Sequence, residues 1–389
     1  MGKGGNTVKT ADIVIVGAGL SGMSTAYYLL QEDPNLRIAI VDDRRVVGTG
    51  STRQALGMVR QSFSHPVNQR LAAATRSLVS MAIDHVEHPV TLRAEGALMV
   101  WPSVDGDGVE VGPDEFAAAV AQDLPVEWLT AGDLQRWPHL EGIQGRCCWI
   151  PSELLIETLD LVDLFWFAVH GSGRVEILPA QAVTGLEAKG STVTEIKTTK
   201  ESLQAGQLLL AAGMDILELC AMLPYEPPLE PLTYGAVSVT GPEPVSGPVV
   251  MDWCTRLFVT PAGPQVVFGG RADEPPVDGQ GEWNWDVLAG FVEGAQRVWP
   301  ALAQSTVQRV WMPKDLATPD GVPLAGRVPG WDNVWLCTGF NGSGVSLIPG
   351  TAQVLAKAMA GGDEPLPTAL DRFTSAGQDP QTPAERLIF

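Results

Sequence analysis

Near the amino terminus an apolar, β-branched run, Ala11 to Val16, passes directly into Gly17-Ala18-Gly19-Leu20-Ser21-Gly22 and then into Met23 to Gln31, which suits a helix. Glycines at this spacing let the chain turn sharply, bring backbone against a pyrophosphate and pack the following helix close to the strand. The helix start offers N–H groups and a positive dipole end to phosphate oxygens. A second apolar strand, Arg37 to Val41, ends in Asp42, where a carboxylate can accept both ribose hydroxyls of an adenosine; Asp43 and Arg44 follow on the same turn. The pattern reads as an adenine-dinucleotide site, and by itself does not separate FAD from NAD. FAD is favoured because the motif stands at the extreme start, no second copy follows, and the far end carries another glycine-rich turn.

There, Val334 to Thr338 reads as a buried strand, Gly339-Phe340-Asn341-Gly342-Ser343-Gly344 as a loop, and Pro349 to Met359 as a helix. A helix N-terminus beside the pyrimidine ring of a flavin would stabilise the charge that develops at N1 and O2 when the ring accepts a hydride. Thr318 to Pro323 reads as a turn placing the next strand. Val175 to Leu186, Val193 to Thr198 and Gln207 to Gly213 look like a β-meander returning to a parallel sheet. Val237 to Thr240, Leu257 to Thr260 and Gln265 to Phe268 are short apolar runs bounded by turns, as in an antiparallel sheet. Glu282 to Arg297 is helical in pattern, and the proline-rich Pro224 to Pro231 is a natural crossing between domains.

The chain has 389 residues and a formal charge of -20, so nucleic acid and anionic membrane surfaces would be repelled. No apolar run approaches the length needed to span a bilayer, and Met1 to Thr10 lacks the apolar core of a signal peptide, which suggests a cytoplasmic protein. Five cysteines, two of them the adjacent Cys147 and Cys148, argue for buried thiols rather than a disulfide framework, and no Cys/His cluster has the spacing of a metal site. The stretch "SAGQDPQTPAE" near the end reads as a flexible or partner-binding tail.

The N-terminal fingerprint, "GTGSTRQALGMVRQSF" (Gly48 to Phe63), "LLLAAG" and "TPDGVPLAGR" leading to "LCTGFNGSGVSLIPGTAQVL" resemble the D-amino acid oxidase and sarcosine oxidase family of FAD-dependent oxidoreductases. They are closest to the flavin subunits of proline dehydrogenases and heterotetrameric sarcosine oxidases. The resemblance implies an α/β fold: a doubly wound, Rossmann-like FAD domain (residues 1–85, 151–220 and 311–389) and an α+β substrate domain with an antiparallel sheet (86–150 and 221–310). It also implies oxidation of a C–N bond of an amine or amino acid to an imine, by hydride transfer to the flavin, and then imine hydrolysis. Besides the small-molecule substrate, the expected partner is a second copy or a companion subunit. The alternatives are a flavin subunit within a dehydrogenase complex and a hydroxy-acid or alcohol dehydrogenase. The latter would want a base such as histidine, and only five histidines are present, His65 alone near a cofactor loop and there more suited to capping the helix that starts at Pro66.

Carried onto this chain, the resemblance places FAD contacts at Gly17 to Gly22, Asp42, Asp43, Arg44, Gly50, Ser51, Thr52, Gln54, Gly57, Met58, Val183, Ala212, Gly213, Gly339, Asn341, Gly342, Ser343, Gly344 and Val345. Relatives that attach flavin covalently do so through a histidine at the position of Gln54 or a cysteine near Pro313; neither is present, implying non-covalent FAD. Arg60 corresponds to an arginine that meets a substrate carboxylate, a task that suits a planar, permanently charged fork. The other readings of Arg60 are a salt bridge or a loop brace, and Arg53 could share either duty. An oxygen-activating lysine of some relatives falls near Val267. A histidine and a lysine of the C-terminal loop are replaced by Ser343 and Ser346, and an arginine near Asp315 is missing. Asp315 would attract an amine, so glycine or sarcosine is disfavoured against a larger amine or an amino acid held mainly by Arg60. Of the twelve tryptophans, Trp253, Trp283, Trp285 and Trp311 lie in segments expected to wall the substrate side, Trp311 best placed for a cationic amine. Arg60, Asp315, Trp311 and Ser343 are thus the expected substrate-side residues.

Overall fold

The computed structural model describes residues 9–85, 89–101, 112–120, 124–241, 246–253, 255–271, 284–362, 366, 368–373 and 384–385. Strand β1 (Lys9–Val16) leads through the glycine turn into helix α1 (Leu20–Glu32) and on to strand β2 (Ile38–Val41). β1 lies between β2 and Ser202–Leu210, parallel to both; Val175–Leu178 extends the sheet beyond β2 and Val334–Thr338 beyond Ser202–Leu210, also parallel. Both faces of such a sheet are covered, which explains why β1 reads as a continuous apolar run. Ile13 and Ile15 belong to a core with α1 and the C-terminal helix Gly344–Met359, while Val14 and Val16 point into the opposite core, under the meander Val183–Lys189, Thr192–Thr198 and Ser202–Leu210.

Among the described residues the second sheet has nine strands. Its long strand Glu230–Thr240, next to one edge, pairs antiparallel with Gln265–Arg271 on one side and with Thr306–Trp311 and Lys314–Ala317 on the other. The sheet therefore runs past residue 310. It is not wholly antiparallel: Val249–Asp252 lies parallel to Ala97–Trp101, which joins the two sequence-distant halves. Helix Trp285–Val298 packs its apolar residues Leu288, Phe291 and Ala295 on this sheet; Glu282 and Trp283 lie outside the described residues.

Several expectations need correction. The C-terminal helix begins at Gly344 rather than Pro349. Pro349 lies inside the helix, where it removes one i→i−4 hydrogen bond and crowds the Val345 carbonyl. Val175 to Leu186 is two strands broken at Ala180, whose φ is 54°. Trp253 stacks 6.3 Å from Trp101 in a core, and Trp285 is 70% exposed, so neither walls a cavity. Of the C-terminal stretch "SAGQDPQTPAE", all but the last two residues lie outside the described residues, but Glu385 is buried against the main body rather than free. Cys147, Cys148, Cys220 and Cys337 are buried free thiols.

The helices Pro66–His85 and Gly344–Met359 cross at Gly350, where an added Cβ would collide with the Leu71 carbonyl oxygen and where the Gly350 N–H donates to Thr75 Oγ1 at 2.9 Å. Gly350→Ala should therefore lower stability by about 2 kcal/mol, an overpacking penalty at a backbone contact, read as a lower midpoint in urea denaturation.

Candidate active site

A cavity of about 680 Å³ opens at the carboxyl ends of the parallel strands, lined there by Val16, Val41, Ala211 and Thr338 and, from the second sheet, by Tyr234, Ala236, Met251, Phe258, Val267 and Trp311. Two helix N-termini meet on it. α1 follows its N-cap Gly19 and the C-terminal helix its N-cap Ser343, neither capped by its own N-cap side chain, and Gly19, Leu20 and Ser21 share the wall with Gly342, Ser343, Gly344 and Val345. Each start presents N–H groups that an anionic or electron-rich ligand can take up.

The three glycines of the fingerprint do different work. At Gly17, with φ 109°, a Cβ would strike the Ala211 carbonyl oxygen, and at Gly22 it would strike that of Gly17. At Gly19 the nearest atom is Thr52 Oγ1 at 3.4 Å, so a Cβ would fit the protein and intrude on the cavity instead. Asp42 ends β2 with Oδ2 accepting from Ala18 N at 2.6 Å and Oδ1 from Arg44 N at 2.8 Å, which fixes the carboxylate at the wall; burial nevertheless pushes its pKa up.

The loop Gly48 to Phe63 crosses the middle of the cavity. Thr52 Oγ1 accepts from Leu20 N at 3.3 Å, tying the loop to the start of α1, and Trp311 Nε1 donates to the Gln54 carbonyl at 3.1 Å, tying it to the second sheet. Arg53 points outward and is exposed. Arg60 is 5% exposed yet reaches the wall; its N–H donates to Ser346 Oγ at 2.8 Å, its guanidinium lies 4.2 Å over the Phe63 ring, and Nη2 makes one long bond, 3.4 Å, to Ser343 Oγ. Among the described residues no carboxylate forms an ion pair with it. Burial pulls its pKa down, opposed by the negative charges of Glu385 and Glu153.

Asp315 also faces the cavity. It is accessible only in part, through the cavity itself, and burial pushes its carboxyl up to about 6, against bonds from Leu316 N at 2.8 Å and Gly342 N at 2.7 Å. The second bond holds the turn at Gly342, whose φ of 74° and contact with the Tyr234 hydroxyl admit no side chain.

The cavity thus gathers Arg60, Asp315, Trp311 and Ser343 with most residues expected to touch a cofactor: Gly17, Gly19, Leu20, Ser21, Asp42, Asp43, Arg44, Gly50, Ser51, Thr52, Gln54, Gly57, Met58, Val183, Ala212, Gly213, Gly342, Gly344 and Val345. Ala18, Gly22, Gly339 and Asn341 are off the wall. Asn341 instead accepts from Thr318 N at 2.8 Å and donates to Gly339 O at 2.8 Å, bracing the loop from behind. Val267, Gln54 and Pro313 are on the wall as well. Tyr234, Met251 and Phe258 escaped the sequence reading: alternation along strands marks two faces but not which one meets a cavity.

The model of the family described as FAD dependent oxidoreductase (DAO) matches residues 12–358. Similar curated proteins include sarcosine oxidase subunit beta of Rhodobacter capsulatus, 22% identical over 92% of this chain and 87% of its own. Another is hydrogen cyanide synthase subunit HcnC of Pseudomonas aeruginosa, 24% identical over 97% of this chain and 98% of its own. Among solved structures, L-proline dehydrogenase from P. horikoshii superposes with a TM-score of 0.82 at 20% identity, covering 94% of this chain and 98% of that one. Glycine oxidase from Geobacillus kaustophilus gives 0.76 at 20% identity, covering 94% and 99%. These structures share the fold.

The residues present fit FAD: an open glycine cradle at the start of α1, a carboxylate just after β2, and a second helix start, with no cap from its own N-cap side chain, across the same cavity. Gly19→Val should leave the fold intact, with the thermal midpoint of the apo-chain little changed, while weakening FAD binding roughly 100-fold by blocking the helix N-terminus; fluorescence titration with FAD measures it.

Proposed function

Since the chain belongs to the FAD dependent oxidoreductase (DAO) family, we propose that it oxidises the C–N bond of an amine that also carries a carboxylate and an apolar group larger than that of glycine or sarcosine. The observation that carries this reading is Arg60: a guanidinium 5% exposed, on the cavity wall, with no ion-pair partner among the described residues. A buried cation of this kind is costly unless an anion completes it, and a bidentate carboxylate matches its fork. Met251, Phe258, Val267 and Leu56 line the cavity and favour an apolar substituent over a bare hydrogen.

Bound FAD supplies a two-electron acceptor for the C–H bond next to nitrogen. The chain's part is mainly positioning. Arg60 takes the carboxylate, with Phe63 stacked on its guanidinium to hold the plane. Asp315 Oδ1 and Oδ2 place negative charge in the cavity, which draws in the cationic form of the amine; the ammonium passes its extra proton to the Asp315 carboxylate or to water before the nitrogen lone pair can drive the oxidation. The start of the C-terminal helix faces the same space and favours negative charge arriving there during the reaction. No histidine of the described residues lines the cavity, which suits amine oxidation, where the nitrogen lone pair drives the step, better than alcohol oxidation, which wants a base at the hydroxyl.

Anaerobic mixing of the FAD-loaded protein with matched amines, with and without a carboxylate, tests this. Bleaching of the oxidised flavin band near roughly 450 nm should follow only the carboxylate-bearing members; bleaching only by carboxylate-free amines, or by none, would refute it. Arg60→Met should raise KM for the carboxylate substrate by about 100-fold or more, the cost of losing one partner of a desolvated ion pair, with a smaller change in kcat. The pH dependence follows from Asp315. Its carboxyl is raised to about 6, so it is charged above that value and neutral below it. KM for the amine should climb as pH falls through about 6, and Asp315→Asn should raise KM and flatten the climb.

A further inference from the structure

Off the cavity wall, two more buried carboxylates face Arg60, and neither salt-bridges it. Glu153, 1% exposed, accepts from Gln61 N at 2.8 Å and Ser62 N at 3.1 Å. Glu385, 5% exposed and at the far end of the chain, accepts from Ser64 N at 2.8 Å, Ser64 Oγ at 2.5 Å, His65 N at 2.9 Å and Asn68 Nδ2 at 3.0 Å. Its own N–H donates to the Asp320 carbonyl at 2.8 Å, and the Asp320 carboxylate is gripped by Arg372 at 2.7 and 3.1 Å, so the Glu385 backbone is anchored independently of its carboxylate. Every backbone N–H from Arg60 to His65 except that of Phe63 is taken by a side chain from a distant part of the chain: Ser346, Glu153 or Glu385.

Four amide bonds to two carboxylates fix a short irregular stretch that no sheet or helix holds. The same bonds occupy the carboxylate oxygens. A carboxylate already satisfied by amides has little to gain from drawing the guanidinium into a direct pair, yet its charge still acts on Arg60 through a low-dielectric interior. The counter-charge is therefore supplied at a distance, and the N–H groups of Arg60 stay available on the cavity side.

We propose that Glu153 and Glu385 are positioning residues for carboxylate recognition: they fix the Gln61 to His65 backbone beside Arg60 and supply its counter-charge without pairing with it, so that its outer N–H groups stay free for the substrate. This rests on the assignment of Arg60 to the substrate carboxylate. It makes the distal carboxyl-terminal segment part of the substrate site without touching the cavity, and it predicts selectivity: carboxylate-bearing ligands should feel its loss, and ligands of the same shape without a carboxylate should not. A tail that only adds stability would show no such difference.

The test is difference-spectral titration of the FAD-loaded protein with benzoate and, separately, with benzylamine, for the unaltered chain, E385Q, E153Q and R60M. A glutamine at 385 keeps the size but sets an N–H₂ group among donors, so the loop loses bonds and Arg60 loses a counter-charge. Benzoate binding should weaken about tenfold in E385Q and E153Q, with benzylamine unchanged, and it should vanish in R60M. If the glutamine variants weaken both probes equally, or neither, while R60M still abolishes benzoate binding, this inference fails and the reading of Arg60 stands. If R60M binds benzoate as the unaltered chain does, the reading of Arg60 fails and this inference with it. Should a glutamine variant not retain FAD, Ser64→Ala, which removes the hydroxyl bond to Glu385 and keeps the backbone one, substitutes, and a smaller loss confined to benzoate is expected.

Discussion

Two helices begin on one cavity, neither capped by its own N-cap side chain, and much of the structure serves to bring them there. A parallel sheet places the carboxyl ends of β1 and Val334–Thr338 on the same edge, with Ser202–Leu210 between them, so that each strand hands its chain to a loop and then to a helix start facing the same space. Helix starts left without side-chain caps are open to a ligand that offers negative charge. A dinucleotide with phosphates at one end and an electron-accepting ring at the other satisfies both, which is why the first and last segments of this sequence answer to one cofactor.

The second theme is the distribution of buried charge. Arg60, Asp315 and Asp42 face the cavity, and Glu153 and Glu385 lie behind the loop that carries Arg60. Each of these carboxylates accepts at least two backbone N–H bonds, so none depends on a cationic side chain for its hydrogen bonding. Arg60 is the exception, with one long bond to Ser343 and an aromatic face beneath it. An incomplete cation among completed anions is what distinguishes a binding group from a structural one.

Much of this was legible in the residues. The fingerprint, the strand Val334–Thr338 and the glycine loop before the last helix are local patterns, whose spacing carries their geometry, and they appear where the spacing put them. Arg60 was legible as a candidate because a cation in an apolar, glycine-rich loop needs a reason. What escaped was set by long-range pairing: the parallel junction between Ala97–Trp101 and Val249–Asp252, the sheet's extension through Lys314–Ala317, and the face of Glu230–Thr240 that turns Tyr234 and Ala236 to the cavity. Glu385 was read as part of a loose tail since its neighbours are small and polar; its docking depends on amides more than 300 residues earlier in the chain.

Titration of the purified, flavin-free chain with FAD, followed by protein and flavin fluorescence, tests the central claim most directly. Uptake of one FAD per chain, released unmodified on denaturation, is the expected result. A chain that takes up no FAD would contradict the reading of both helix starts, and with it the assignment of everything between them.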